Sequence, residues 1–257
     1  MMSKEASLSS KEVQIEMLRQ AIEQSASGFF CCDCMDGMQA IPDKYFDLAI
    51  VDPPYGIGAT RFNNGAGLKD HGQGSTALKA RQNRFHGAGN AGKLHDRVLN
   101  RSNLDWDNEP PKHEYFEELF RVSRNQIIWG GNYFDLPPTR GIVVWDKKQP
   151  WENFSQVEYA WTSFDAPAAL FSYRSTNEKN KFHPTQKPLD LYRFLIRRFA
   201  EPGDVILDTH AGSASSLIAC RETGHRYIGF EIDPEYYEKA KARLDATEAQ
   251  ATIFDYL

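Results

Sequence analysis

Nothing in the 257 residues approaches the ~20 consecutive apolar positions of a membrane span. The first thirty residues carry charges throughout and have no apolar centre, so no secretory signal is read there. These absences predict a cytoplasmic protein with no membrane partner. Cysteine is scarce, at four residues. Cys31, Cys32 and Cys34 crowd together and Cys220 stands alone, whereas zinc sites use pairs or Cys/His sets spaced so that the chain wraps the ion. On or just after a strand, neighbouring side chains face opposite ways, so reduced thiols are expected and no metal site. Also missing are an internal repeat and the G-x-G-x-x-G pattern of a dinucleotide-binding turn.

What is present is unevenly placed. Net charge is −5, yet residues 56–104 hold eight Lys/Arg against two acids, a local +6 that leaves −11 for the rest. The same stretch carries nine of the eighteen glycines and shows no apolar periodicity. It reads as a mobile basic loop, and a local basic excess suits a phosphate backbone whatever the overall sign. A solvated insertion without a role is the plainer alternative.

Around that loop the pattern is regular. A helix is expected over Ser10–Gln24, with Val13, Met17, Leu18 and Ile22 near one face, inside an N-terminal segment 1–27. Strands are expected at Gly28–Asp33, Tyr45–Val51, Gln126–Trp129, Gly141–Trp145, Val157–Thr162, Ala168–Tyr173, Asp204–Asp208 and Arg226–Glu231. Helices are expected at Lys112–Val122, Leu189–Ala200, Ser215–Thr223 and from Pro234 to about Glu248. The alternation predicts one α/β domain over 1–257, with a doubly wound, mostly parallel sheet.

The sharpest chemical feature is Asp52-Pro53-Pro54-Tyr55, after an apolar run of the kind a parallel strand covered on both faces requires. It falls where open α/β sheets bind ligands. An exocyclic amino nitrogen is a poor nucleophile, because its lone pair is delocalised into the ring. A carboxylate accepting one amino hydrogen and a backbone carbonyl accepting the other would localise that pair. Asp52 and the Pro53 carbonyl are the candidates, with φ fixed at both prolines. Tyr55 offers a ring on which an extruded base can stack. The alternative is a turn begun by Asp and set by Pro.

Two further segments carry weight. Asp208-Thr209-His210-Ala211-Gly212-Ser213-Ala214 follows a strand, and small residues there let a ligand approach the backbone. Glu231, 23 residues on and closing the next strand, stands where an acid can accept two ribose hydroxyls. A dehydrogenase would use similar geometry. His183-Pro184-Thr185-Gln186-Lys187-Pro188 precedes a helix, with Pro188 suited to the first helical position. Thr185 or Lys187 is a candidate for the carboxylate of a bound ligand; a solvated Lys in a helix-entry turn is the alternative.

Taken in order, these segments resemble the amino-methylating DNA methyltransferases of the adenine-N6/cytosine-N4 family, specifically the permuted (beta) class that places DPPY before the cofactor loop. The resemblance covers about 29–56, 127–148 and 183–237. It implies a Rossmann-like methyltransferase fold, S-adenosylmethionine as cofactor and double-stranded DNA as partner, in a monomer or homodimer of the restriction-modification type. It implies catalysis by Asp52, Pro53, Pro54 and Tyr55. Cofactor contacts are implied for Asp33, Asp52, Thr185, Lys187, Asp208, His210, Ala211, Gly212, Ser213 and Glu231. Asp rather than Ser at position 52 leans toward adenine over cytosine.

The loop departs from the family's approximate D-P-F-x-G-S-G-T at Thr209-His210 and at Ala214. Ala214 adds a methyl where the backbone is expected either to approach the ligand closely or to take positive φ, and both changes are expected to weaken cofactor binding. That leaves a second class open, a DNA-binding protein with the fold but no activity. Phosphate contacts are expected from Arg61, Arg81, Arg84 and Lys93 in the basic loop and from Lys147 and Lys148. Residues 149–181 are the expected target-recognition region.

Overall fold

The computed structural model describes residues 9–56, 107, 109–149, 155–174 and 181–254, with side chains through residue 247. In chain order, α1 (Ser10–Glu23), β1 (Gly28–Cys31), α2 (Cys34–Gln39) and β2 (Phe46–Val51) lead to Asp52. After the basic stretch come α3 (His113–Val122), β3 (Ser123–Trp129), β4 (Ile142–Asp146), β5 (Val157–Thr162) and β6 (Ala169–Ser172). The chain then adds α4 (Leu189–Phe199), β7 (Val205–Asp208), α5 (Ser215–Glu222), β8 (Arg226–Glu231) and α6 (Pro234–Phe254).

The strands form one sheet in the order β1-β8-β7-β2-β3-β5-β4-β6. Five of its seven pairings are parallel; only β5 runs against both its neighbours, β3 and β4. Alternation along β2 sends Leu48 and Ile50 to one face and Ala49 and Val51 to the other. The first face packs against α4, α5 and α6 through residues such as Leu191, Leu195, Ile218 and Leu244. The second packs against α1, α2 and α3 through Leu18, Met38, Phe116 and Leu119. Helices on both faces are the doubly wound arrangement that the alternation predicts.

Several local expectations change. In α1 the buried side is Leu18, with Ile15, Ala21 and Ile22 beside it, while Val13 and Met17 are exposed. The helix is begun by a capping box, Ser9 with Glu12, so its phase follows the cap and the sheet rather than the apolar count. Strand β1 stops at Cys31, because Asp33 caps the unexpected short helix α2. Pro188 is the residue before α4, not its first. Helix α6 runs six residues past its expected end, to Phe254. Within 149–181, β5 and β6 belong to the central sheet. The basic loop at 56–104 lies outside the described residues from position 57 onward.

Candidate active site

β2 sends the chain toward β3 on one side, whereas β7, beside it, leads to β8 on the other. Neighbouring strands that diverge in this way leave a crevice beyond their carboxyl ends. A cavity of about 260 Å³ opens there, rimmed by Asp52 from the β2 end and Glu231 from the β8 end.

At the β2 end the two oxygens of Asp52 have different partners. Oδ1 accepts from the Tyr55 hydroxyl at 2.6 Å, and Oδ2 meets Lys187 Nζ at 2.5 Å. Lys187 also lies 3.1 Å from Glu158 Oε2, and Glu158 pairs in turn with Lys147. Two acids and two bases therefore alternate in a line. Glu158 reaches this edge because β5 is antiparallel, so the start of β5 lies at the carboxyl ends of β3 and β4. Burial raises the Asp52 pKa against the pull of Lys187. Burial would also raise Glu158, but Lys187 and Lys147 together outweigh it and hold that acid near about 2. Burial would lower Lys187, yet two flanking carboxylates keep it protonated.

The Tyr55 ring is stacked on Tyr133, with centroids 4.9 Å apart and planes 12° from parallel, and meets the edge of Phe134. Gly130 makes this possible. Its φ is +71°, and a Cβ there would stand 2.3 Å from the Tyr55 ring. Behind the ring, Asp107 Oδ1 accepts from the Tyr55 amide at 2.7 Å and the Gly56 amide at 3.0 Å, fixing how the chain leaves the Pro-Pro pair.

The other end is built differently. Glu231 accepts from the Gly212 and Asp233 amides, each at 2.9 Å. Asp208 accepts from the His210 amide at 3.0 Å and from the Ser216 hydroxyl. Burial, incompletely offset by these uncharged donors, raises both acids to about 7. The loop between them turns through left-handed backbone at Gly212 (φ +51°) and Ala214 (φ +58°). From Tyr115 a hydrogen-bonded chain crosses the floor: its hydroxyl lies 2.6 Å from Thr209 Oγ1, which lies 2.9 Å from His210 Nδ1. Burial lowers His210 to about 4, so the ring is neutral. The thiol of Cys34 stands 3.9 Å from its other nitrogen.

Residues 145–242 match a family model described as DNA methylase, the N6/N4 family. The Escherichia coli K12 protein YubD, named as a methylase, is 39% identical over 248 residues, covering 86% of this chain and 92% of that protein. The chain belongs to the N6/N4 DNA methylase family. A DNA adenine methyltransferase of the same organism, YhdJ, is 31% identical over 99 residues, which is 38% of the chain and 32% of YhdJ. In fold, the methylase is similar to the PvuII DNA methyltransferase, named cytosine-N4-specific, at 14% identity and a TM-score of 0.51, over 84% of this chain and 85% of that one.

In this methylase all but one of the ten expected cofactor contacts line the same cavity, which also takes in Pro54. The exception is Asp208, which is buried beneath the loop and braces it. Pro53 is buried and does not face the cavity. Lys187 is not a solvated helix-entry residue; it is 5% exposed and ion-paired to Asp52. Among the expected phosphate contacts, Arg61, Arg81, Arg84 and Lys93 lie outside the described residues. Lys147 is partly buried and pairs with Glu158. Lys148 is exposed, and pairs with Asp146 at 2.9 Å. Among the described residues no cluster of His, Cys, Asp or Glu could hold a metal, and all four cysteines are free thiols. No described helix is long and apolar enough to cross a membrane.

Sequence reasoning missed Glu158, Asp107, Tyr133 and Tyr115. A lone acid amid the aromatic run of β5 was a faint signal for Glu158. The other three act through the fold and left none.

Proposed function

We propose that this methylase transfers a methyl group from S-adenosylmethionine to the N6 amino group of adenine in double-stranded DNA. The observation that carries the reading is one cavity with Asp52 at one end and Glu231 at the other. The residues fit the cofactor. Glu231 has lone pairs left for ribose hydroxyls, and a Cβ at Gly212 would come within 3.3 Å of the His183 ring, so side-chain-free backbone borders the space. Two buried acids raised toward neutral favour a cationic ligand.

When bound, S-adenosylmethionine supplies an electrophilic methyl group on a positively charged sulfur. The chain's own part is to present the nucleophile. Tyr55 receives the extruded base on its ring. Asp52 accepts an amino hydrogen, which directs the nitrogen lone pair out of the ring. As the new N–C bond forms, the nitrogen must shed a proton. Asp52, made more basic by burial, is the acceptor at hand. Adenine is favoured over cytosine by Asp rather than Ser at position 52 and by the partial match to YhdJ.

The reading is tested with methyl-labelled S-adenosylmethionine, DNA from a methylation-free host and digestion to nucleosides. Label is expected in N6-methyldeoxyadenosine. Label in N4-methyldeoxycytidine would overturn the base assignment, and transfer no faster than in the Asp52→Ala protein would overturn the enzyme reading.

A further inference from the structure

Lys187 has one ammonium and three neighbours: Asp52 at 2.5 Å, Glu158 at 3.1 Å and the Tyr55 hydroxyl at 3.3 Å. Rings of Trp129 and Tyr55 lie 5.3 and 5.7 Å from that ammonium, so little else competes for it. An amino group arriving at Asp52 needs a lone pair on a carboxylate that already serves a lysine and a tyrosine. Lys187 must therefore be able to loosen its hold without being left bare in a buried site.

Glu158 supplies the alternative. Its Oε2 atom is buried and accepts no well-aligned hydrogen bond, although Lys187 stands in ion contact with it. Its other oxygen is held by Lys147, whose ammonium lies 5.3 Å from the Trp145 ring centroid. The β4–β5 pairing of Trp145 with Glu158, and the Lys147 amide bonded to the Gln156 carbonyl, lock this pair in register. The open oxygen is thus fixed in place, charged, and aimed at the cation that holds Asp52.

We infer that Glu158, steadied by Lys147, is a positioning residue that shares Lys187 with Asp52 and takes it over when Asp52 engages the base. This rests on the amino-methylation reading. Glu158 touches neither base nor cofactor, and acts only through Lys187. Without its charge, Lys187 falls wholly to Asp52 and competes with the amino hydrogen.

The test is a double-mutant cycle on the full chain, with DNA from a methylation-free host and labelled S-adenosylmethionine. Glu158→Gln is expected to lower kcat by roughly tenfold or more, with the cofactor Kd within about twofold of wild type. On a Lys187→Met background the same change is expected to lower kcat no further. An equal loss on both backgrounds, or a kcat unchanged by Glu158→Gln, would overturn the proposal. If Glu158→Gln does not fold, the neutral pair Lys147→Met with Glu158→Gln removes an acid and a base together, and carries the same expectation. Failure of the underlying reading looks different, since the wild-type protein would then transfer no label.

Discussion

At the Asp52 end of the cavity two acids are interleaved with two lysines, whereas at the Glu231 end two acids take hydrogen bonds from backbone amides and a hydroxyl. Both ends are buried, so the contrast lies in what balances the charge. Interleaved lysines keep Glu158 ionised at any ordinary pH, while the uncharged donors leave Asp208 and Glu231 near about 7. The first end is complete before anything binds and is suited to steering hydrogen atoms. The second carries negative charge that is costly until a cationic cofactor arrives, and is suited to gripping that cofactor by its ribose.

Breaking the first end has the largest expected effect. Asp52→Ala should lower kcat by about a thousandfold or more, on the order of 4 kcal/mol, measured as methyl transfer under saturating cofactor. Cofactor affinity should change only a few-fold, because the binding charge resides at the other end. Glu231→Gln should do the reverse, weakening S-adenosylmethionine about 10- to 100-fold by calorimetry, the loss of one charged hydrogen-bonding partner.

The contrast also predicts a pH dependence. A cation favours ionised Asp208 and Glu231, so affinity should rise with pH through about 7, by up to about tenfold per unit for each proton released. Calorimetry in buffers of different ionisation enthalpy measures that release. The unliganded fold behaves oppositely. Acids raised to about 7 bind protons that the unfolded chain has lost, so their contribution to stability falls as pH rises from about 4 to 7. His183 and His210, lowered to about 4, offset this up to about pH 6.5, where an unfolded histidine loses its proton. The stabilisation by cofactor, read as a melting shift, should therefore be larger at pH 8 than at pH 6.

Smaller effects refine the picture. Asp107→Ala leaves the Tyr55 and Gly56 amides without their acceptor, at a cost of about 1–3 kcal/mol in denaturant unfolding and a several-fold loss of kcat. Ala214→Gly should alter stability by no more than about 1 kcal/mol. Relief of left-handed strain, about 1–2 kcal/mol, is offset by a lost buried methyl and by glycine's greater chain entropy. A loss of several kcal/mol there would mean that the loop depends on the methyl contact.

Legibility in the sequence divided along the same line. The Glu231 end is built from parallel β-α units, where each strand ends and its loop begins in the crevice. Asp208, Gly212 and Glu231 could be read from spacing, and of the two alternatives open at Ala214 the structure shows positive φ. The Asp52 motif itself was equally plain. Its partners were not, because Glu158 opens an antiparallel strand and reaches the site only through the β4–β5 register. The Lys147 partner was hidden for the same reason: its neighbour in sequence is Asp146, but the acid it pairs with is Glu158, on the next strand. Asp107 is separated from Tyr55 by a long glycine-rich stretch, and a hydrogen bond to backbone amides leaves no trace in residue type. The fold was legible because two-sided apolar strands and alternating helices leave few arrangements; pairing across the sheet was not.

The most direct measurement of the central claim is base mapping by single-molecule sequencing after expression in a methylation-free host, beside the Asp52→Ala protein. N6-methyladenine at a fixed sequence, absent from the control, is the predicted result. Soluble protein that leaves adenines unmodified, or marks that persist without the Asp52 carboxylate, would contradict it.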